Sequence, residues 1–162
     1  MTIKVGERLP EATFRIMGPE GTPKPATTAE VFGGKKVALF AVPGAYTPTC
    51  HKQHMAGFVQ NYDDLKSKKF DVVACTAVND IFVLTNWARD SKADGKILML
   101  ADGSAEFAKK VGLDVDRGEA GMGVRSRRYS MIVDNGVVTS LNVDEAPGVH
   151  DKSSATMLCS LA

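Results

Sequence analysis

Two adjoining stretches decide the fold: an apolar run, Val37-Ala38-Leu39-Phe40-Ala41-Val42, and the segment after it, Pro43-Gly44-Ala45-Tyr46-Thr47-Pro48-Thr49-Cys50-His51. A short, continuously apolar run is typical of a β-strand that is buried on both faces. Thr47 suits a helix N-cap, and Pro48 suits the first helical position, where a missing N–H costs nothing. The sequence therefore predicts a buried strand, a loop and a helix.

Cys50 falls in the first turn of this predicted helix. Backbone N–H groups without intrahelical partners and the positive end of the helix dipole meet there. Such an environment lowers the pKa of a thiol and makes thiolate available near neutral pH. We therefore interpret Cys50 as a reactive cysteine, although a buried structural cysteine is the common alternative.

Strand-like and helix-like segments alternate along the rest of the chain. Before the apolar run, the patterns predict a strand at 13–17, a turn-rich loop at 18–25 and a helical turn at 27–32. After Cys50, they predict one helix with an apolar face (Met55, Phe58, Val59, Tyr62, Leu65), a strand at 70–78 and a helix capped by Asn79-Asp80. A strand at 97–100, a helix from 102 to 113 and a loop at 114–123 follow. The last part of the chain is predicted as a strand at 127–133, a hairpin turn at 134–136, a strand at 137–143, a loop at Pro147-Gly148 and a C-terminal helix capped by Ser153 or Ser154.

This order predicts an α/β fold, in which helices flank both faces of a central sheet with parallel members. An N-terminal strand or hairpin adds an extension to it. Functional sites in such sheets lie at the carboxyl ends of strands, and Cys50 follows such an end. We see no linker or internal repeat, so we expect one domain over residues 1–162.

Composition narrows the classes of protein and of partner. The 162 residues are 44% hydrophobic and 24% charged, which are ordinary globular values. The net charge is +1 and no basic block occurs, so we expect neither nucleic acid nor a membrane as partner. We find no signal-peptide pattern and no apolar run of membrane-spanning length. The three cysteines do not suit a secreted disulfide framework, so we expect a reducing compartment, the cytosol, with an organellar mature form as the alternative.

Other kinds of site find weaker support. His51 and His54 lie near Cys50, but adjacent Cys and His residues do not make a tetrahedral metal site, and no C-x-x-C occurs. Gly121-Met122-Gly123 follows no predicted strand, so it is a weak nucleotide signal. For a Cys-His hydrolase, no Asn or Asp is identifiable by spacing. We interpret both histidines as residues of the helix's polar face.

The spacing Pro43-x-x-x-Thr47-x-x-Cys50 resembles the peroxidatic motif of peroxiredoxins. The run from 42 to 50 is similar to the type-5 branch, which includes the plant type II and the glutaredoxin-dependent bacterial members. The similarity extends from about Leu9 to the C-terminus and includes further short matches: Phe58-Val59, Val78-Asn79-Asp80, Leu100-Ala101-Asp102-Gly103 and Arg127-Arg128-Tyr129-Ser130-Met131. It implies a thioredoxin-like fold with a central mixed sheet, and a thiol peroxidase for hydrogen peroxide and alkyl hydroperoxides that needs no metal, haem or flavin.

The resemblance also implies roles for individual residues. Cys50 attacks the peroxide O–O bond as thiolate and becomes a sulfenic acid. The helix N-terminus and Arg128 stabilise the thiolate, and the arginine fork reaches sulfur and peroxide oxygen together. Thr47 hydrogen-bonds the peroxide, and Pro43 shields the thiolate from water.

By the same resemblance, the backbone N–H groups of Thr49 and Cys50 bind the peroxide, beside Gly44. Arg128, rather than Arg127, matches the family position before the aromatic residue. Alternation along a strand places these two arginines on opposite faces, so only one can face Cys50. From the pattern alone, a surface position for Arg128 is equally compatible.

The fate of the oxidised cysteine depends on the two other thiols. Cys75 lies in an apolar strand, which favours burial. Cys159 lies on the C-terminal helix, after the loop in which some type-5 members carry a resolving cysteine. We therefore assign no resolving cysteine and expect glutathione with glutaredoxin, or thioredoxin, to reduce Cys50 directly.

Asp80 and Trp87 are candidates for shaping the site or a dimer contact, and a core position is the stronger interpretation of Trp87. The family suggests a homodimer. Two alternatives stay open: a peroxide-sensing relay that passes oxidation to a partner, and a thioredoxin-fold binding module with an inert cysteine.

Overall fold

The computed structural model of the chain describes residues 1–145 and 151–162. Its strands are β1 (Thr13–Met17), β2 (Pro23–Thr27), β3 (Lys36–Ala41), β4 (Val72–Ala77), β5 (Leu98–Ala101), β6 (Asp114–Arg117), β7 (Gly123–Ser126), β8 (Tyr129–Asp134) and β9 (Val137–Val143). Its helices are α1 (Thr28–Phe32), a π-helix (Cys50–Met55) that continues into α2 (Ala56–Gln60), α3 (Tyr62–Ser67), α4 (Ile81–Asp90), α5 (Glu106–Lys110) and α6 (Ala155–Leu161), with a short 3₁₀ turn at Gly118–Ala120.

A seven-stranded sheet in the order β2-β1-β5-β4-β3-β8-β9 forms the centre of the described part of the chain. The three middle strands, β5, β4 and β3, run parallel, whereas β1 and β8 pair with them antiparallel. This arrangement confirms the predicted α/β class, the central mixed sheet and the N-terminal hairpin extension. The architecture is thioredoxin-like.

Buried side chains cover both faces of the sheet. Along β3, Phe40 points to the face covered by α2, α3, α4 and α6, and its ring stacks on Phe58 with centroids 3.9 Å apart. Leu39 points to the other face, which α1 and α5 cover and to which Phe107 belongs. Because β3 is apolar on both faces, its sequence shows no alternation.

The helix after Cys50 differs from the single regular helix that the spacing predicts. Cys50–Met55 is π-helical, and a break at Asn61 separates α2 from α3. Met55, Phe58 and Leu65 are buried as predicted. A π-helix adds a residue to each turn, so it changes which side chains of the first turns face the core.

Four further segments differ from the prediction. The helix predicted from 102 to 113 is shorter, because α5 extends only over Glu106–Lys110. Residues 114–123 are not a loop, because β6 pairs with β7 as a separate two-stranded ribbon. Gly121, at φ 72°, makes the turn between them. The strand predicted from 127 begins instead at Tyr129. The turn-rich 23–25 forms part of β2, where prolines are tolerated because β2 is an edge strand.

Other local predictions are confirmed. Asn135 and Gly136 both have positive φ, 47° and 79°, as a tight turn between β8 and β9 requires. Asp80 caps α4, and Ser154 caps α6. The predicted loop at Pro147-Gly148 lies outside the described residues. None of the helices within 1–145 and 151–162 has the length and hydropathy needed to cross a bilayer.

Candidate active site

The loop between β3 and the π-helix is fixed by hydrogen bonds to its neighbours. The N–H of Ala45 donates to Oδ1 of Asn79 at 3.0 Å. Thr47 donates from Oγ1 to the carbonyl of Gly44 at 2.8 Å, which closes the turn on itself. These contacts place Cys50 past the carboxyl end of β3, where its side chain is 0% exposed.

The start of the helix offers free backbone donors. The N–H of His51 donates to the carbonyl of Thr47 at 2.9 Å, so helical bonding begins at Thr47, where we predict the N-cap. The Thr47 hydroxyl does not cap the helix, since it donates to Gly44. Within the described ranges, the N–H groups of Thr49 and Cys50 have no acceptor. They remain available to a ligand at the positive end of the helix.

Arg128 lies directly against the cysteine. Its Nη2 donates to Sγ of Cys50 at 2.9 Å, across 78 residues of sequence. The arginine is only 3% exposed, whereas Arg127 is half-buried. A buried guanidinium needs hydrogen-bond acceptors, and the Cys50 sulfur is one of them. The structure therefore brings together the cysteine and the arginine that the motif resemblance selects.

His54 belongs to the same cluster, contrary to its interpretation as a polar-face residue. It is 0% exposed, and its Nδ1 lies 3.0 Å from Nη1 of Arg128. Its Nε2 lies 2.9 Å from the carbonyl oxygen of Ser153. The sequence held a usable signal, because residues four apart share one face of a helix and His54 is the fourth residue after Cys50.

Asp144, directly after β9, supports the far side of this cluster. Its carboxylate accepts from the N–H of Lys152 at 2.7 Å and from the N–H and the hydroxyl of Ser153. Its own N–H donates to the carbonyl of Arg128 at 3.0 Å. Hydrogen bonds therefore connect Arg128, His54, Ser153 and Asp144 in a closed ring. No local pattern in the sequence indicates this ring.

The mouth of the site is formed by Pro43 and Gly44, both of which are buried. A Cβ on Gly44 would lie 3.1 Å from Nη1 of Arg125 and 3.2 Å from Cγ2 of Thr47, so no side chain fits there without displacement. Nη1 of Arg125 also lies 3.5 Å from the carbonyl oxygen of Pro43 and 3.4 Å from that of Val78. Arg125 is thus a second arginine at the site, which the sequence analysis missed.

The remaining candidates are structural. Asp80 accepts from the N–H of Val83 in its capping role. Trp87 is 0% exposed, as expected for a core residue, and its indole N–H donates to Nδ1 of His51 at 3.0 Å. Tyr46 stacks on His51, and its hydroxyl donates to Asp90 at 2.6 Å, which raises the pKa of the phenol.

The other two cysteines are free thiols in less favourable surroundings. Burial raises the pKa of Cys75 well above its ordinary value, and the nearby Cys50 adds to that effect. Burial, with the negative charge of Asp64, also raises the pKa of Cys159. Both therefore stay protonated at neutral pH and are weak nucleophiles.

The arrangement suits one kind of chemistry. A cysteine thiolate is a nucleophile that an adjacent cation stabilises, and free N–H groups beside it can stabilise negative charge on an attacked molecule. The burial of Cys50 restricts the reactant to a small molecule or to the end of a larger one. Among the described residues, no cluster of three or more His, Cys, Asp or Glu side chains is arranged to hold a metal ion.

Comparisons with known proteins agree with this chemistry. A family model described as Redoxin matches residues 4–158. Peroxiredoxin-2E, chloroplastic, of Arabidopsis thaliana is 42% identical over 163 residues, which cover 99% of this chain and 70% of that protein. Reduced Prx3 from Vibrio vulnificus in complex with H₂O₂ is 46% identical, with a TM-score of 0.93 and 99% of each chain covered.

A more distant structure shares the same fold. The antioxidant protein of Plasmodium falciparum, described as a 1-Cys peroxiredoxin, is 27% identical, with a TM-score of 0.90 and 98% of each chain covered. The family model spans nearly the whole chain, and the Arabidopsis relative is similar over most of its own length. The chain therefore belongs to the peroxiredoxin family and is a thiol-dependent peroxidase.

Proposed function

We propose that Cys50 is the peroxidatic nucleophile of this peroxidase. The observation that carries the proposal is the 2.9 Å contact between Nη2 of Arg128 and the Cys50 sulfur. The thiolate attacks one peroxide oxygen, an S–O bond forms and the O–O bond breaks. The other oxygen leaves with the electron pair and takes up a proton as water or alcohol. Cys50 becomes a sulfenic acid.

The residues around the sulfur have distinct roles in this step. Arg128 and the N–H groups of Thr49 and Cys50 stabilise the charge that develops on the leaving oxygen. The Thr47 hydroxyl, which donates to the Gly44 carbonyl, turns to accept or donate a hydrogen bond with the peroxide. Gly44 leaves room for the peroxide, and Pro43 excludes water from the sulfur. Hydrogen peroxide and alkyl hydroperoxides are the substrates, and the Vibrio complex with H₂O₂ supports this class.

We further propose that one cysteine carries the whole cycle. A thiol of an external reductant attacks the Cys50 sulfenic acid, an S–S bond forms and water leaves. A second external thiol then releases Cys50 and forms a disulfide. Glutathione with glutaredoxin, or thioredoxin, fills this role. The raised pKa values of Cys75 and Cys159 support the proposal, as does the similarity to a 1-Cys peroxiredoxin.

Steady-state peroxide consumption tests both proposals, with glutathione/glutaredoxin and thioredoxin compared side by side. Cys50→Ser should abolish consumption, while Cys75→Ser, the matched control, should keep most of it. Full activity of Cys50→Ser would overturn the assignment. Turnover should persist after treatment with a metal chelator, because we assign no resident cofactor. Stoichiometric oxidation without turnover by either reductant would instead favour the peroxide-sensing relay.

Mass spectrometry tests the single-cysteine cycle separately. After one equivalent of peroxide, the protein should carry a Cys50 sulfenic acid, or a glutathione adduct when glutathione is present. The Cys159→Ser variant should give the same products. A disulfide between Cys50 and Cys159 in high yield would overturn the assignment.

We also propose that the chain forms a homodimer that packs near the active-site end of the sheet. Two large, exposed side chains support it: Tyr46, 46% exposed, follows β3, and Phe82, 59% exposed, follows β4. Because β3 and β4 run parallel, both side chains lie at the same end of the sheet as Cys50, where exposed apolar side chains suit an interface. A reducing compartment fits a thiol peroxidase, and we propose the cytosol. The description of the Arabidopsis relative as chloroplastic supports an organellar form as the alternative.

A further inference from the structure

We propose that His54 is a positioning residue that holds the Arg128 guanidinium on the Cys50 sulfur. The two side chains meet at 3.0 Å through Nη1 and Nδ1, while the other nitrogen of the same guanidinium fork, Nη2, contacts the sulfur at 2.9 Å. The proposal rests on the roles given above to Cys50 and Arg128.

The partners of His54 select one form of its ring. Arginine only donates hydrogen bonds, so Nδ1 must present a lone pair to Arg128. A backbone carbonyl only accepts, so Nε2 must carry the proton that faces Ser153 at 2.9 Å. Only the neutral imidazole with its proton on Nε2 satisfies both contacts. The carbonyl of Ser153 thus determines that His54 accepts from Arg128.

The ring has little freedom to turn away from this orientation. It packs against the stacked rings of Phe40 and Phe58, whose centroids lie 4.9 Å and 5.5 Å from its own. Ser153 is itself fixed, because its N–H and hydroxyl donate to the carboxylate of Asp144. The backbone N–H of Asp144 in turn donates to the carbonyl of Arg128 at 3.0 Å. Backbone and side chain of Arg128 are therefore held by one connected set of bonds.

A fixed guanidinium is worth more to catalysis than a mobile one. A charge that is already oriented stabilises the thiolate and the leaving oxygen without reorganisation during the reaction. Without an acceptor at the Nδ1 position, Nη1 loses its hydrogen bond with His54, and the fork is held less firmly on the sulfur. The reaction at Cys50 should slow even though Cys50 and Arg128 are both intact.

Three variants separate positioning from space-filling. His54→Asn keeps an acceptor close to the place of Nδ1, whereas His54→Gln keeps a donor at the place of Nε2 and lacks that acceptor. His54→Phe keeps the ring and its packing but removes both bonds. We expect the second-order rate with hydrogen peroxide to fall by about tenfold in the Gln and Phe variants, and by no more than about threefold in the Asn variant. A space-filling role predicts the opposite order, with Phe the best.

The readouts are the peroxide rate and the ultraviolet absorbance of the thiolate at neutral pH, with thermal unfolding as the check on folding. If His54→Phe does not fold, the comparison of Asn with Gln still decides. His51→Gln is the matched control, because His51 bonds to Trp87 rather than to Arg128, and its rate should not change. Equal rates for the Asn and Gln variants would overturn the proposal.

A double-mutant cycle tests the route of the effect. If His54 acts through Arg128, His54→Gln should lower the peroxide rate of the wild-type protein but should not lower the rate of the Arg128→Ala variant any further. An equal loss in both backgrounds would overturn the proposal while leaving Arg128 in its role. An active Cys50→Ser variant, measured in parallel, would show instead that the proposed nucleophile is wrong.

Discussion

Arg128 contacts the sulfur of Cys50 and Nδ1 of His54 through one guanidinium. A lysine carries the same charge but lacks the planar fork, so it cannot hold both partners in this geometry. We expect Arg128→Ala to lower the peroxide rate by about 100-fold or more, and Arg128→Lys to recover only part of it. Stopped-flow measurement of peroxide consumption checks both variants.

Arg127 provides the matched control for this prediction. It precedes Arg128 directly but is half-buried and makes no hydrogen bond to Cys50 within the described residues. We expect Arg127→Ala to change the rate by less than about threefold, as a substitution outside the cluster should. Full recovery by Arg128→Lys would contradict the role of the fork and leave only that of the charge.

The remaining thiols give a prediction about pH. Burial and Asp64 raise the pKa of Cys159, and only its thiolate is alkylated. In Cys50→Ser, alkylation of Cys159 by a haloacetamide should therefore reach half of its maximal rate at a higher pH than in free cysteine. A peptide map across a pH series checks this. A midpoint below that of free cysteine would contradict the assigned surroundings.

Cys75 extends this prediction to stability. Its pKa is raised in the folded protein, so folding favours its protonated form. The stability linked to this thiol is fully present below the ordinary thiol pKa, and it is lost as the pH rises through the raised value. The free energy of unfolding in urea should fall more steeply as the pH becomes alkaline in the wild-type protein than in Cys75→Ser. Equal slopes would contradict it.

At the scale of elements, a substitution in the N-cap of α1 should lower the stability of the protein without changing its activity. Thr27 and Glu30 form a capping box, with N–H to oxygen distances of 3.2 and 2.8 Å. Val31 and Phe32 of α1 pack on the sheet face opposite Cys50. We expect Thr27→Ala to lower the free energy of unfolding by about 1 kcal/mol and to leave the peroxide rate unchanged. Denaturant unfolding and steady-state kinetics check the two parts, and a lost rate at unchanged stability would contradict them.

Local signals explain how much of the fold the sequence can predict. Asn135-Gly136 and the caps at Asp80 and Ser154 act through neighbouring backbone groups, so they are readable in a short window. The pairing of β6 with β7 depends on tertiary contacts, and the glycines between them indicate only irregular backbone. The prolines of β2 argue locally against a strand, but an edge position tolerates them.

The site residues also differ in how far the sequence alone can predict them. Pro43, Thr47 and Cys50 lie within one stretch, so their spacing alone draws attention to them. The contact between Arg128 and Cys50 spans 78 residues, and only the resemblance to a family indicates it. Helical periodicity places His54 on the same face as Cys50, whereas its polarity alone favours the solvent face. Burial of a histidine depends on its partners, and these lie far away in sequence.

At the scale of the whole molecule, the proposed homodimer predicts an interface at the active-site end of the sheet that includes Phe82. Phe82 is 59% exposed in the first turn of α4, so its replacement should not disturb the core. We expect the protein to sediment as a dimer at micromolar concentration and Phe82→Asp to shift it toward monomer, because a buried unpaired charge opposes association. Analytical ultracentrifugation measures the change.

Leu161, 50% exposed near the C-terminus, is the matched control, because it combines similar exposure with a position on α6 rather than at the edge where β3 and β4 end. Leu161→Asp should remain dimeric if the interface lies at the active-site end. A monomeric normal protein would contradict the dimer itself. A dimer that survives Phe82→Asp but not Leu161→Asp would instead place the interface on α6, away from the surface formed by Tyr46 and Phe82.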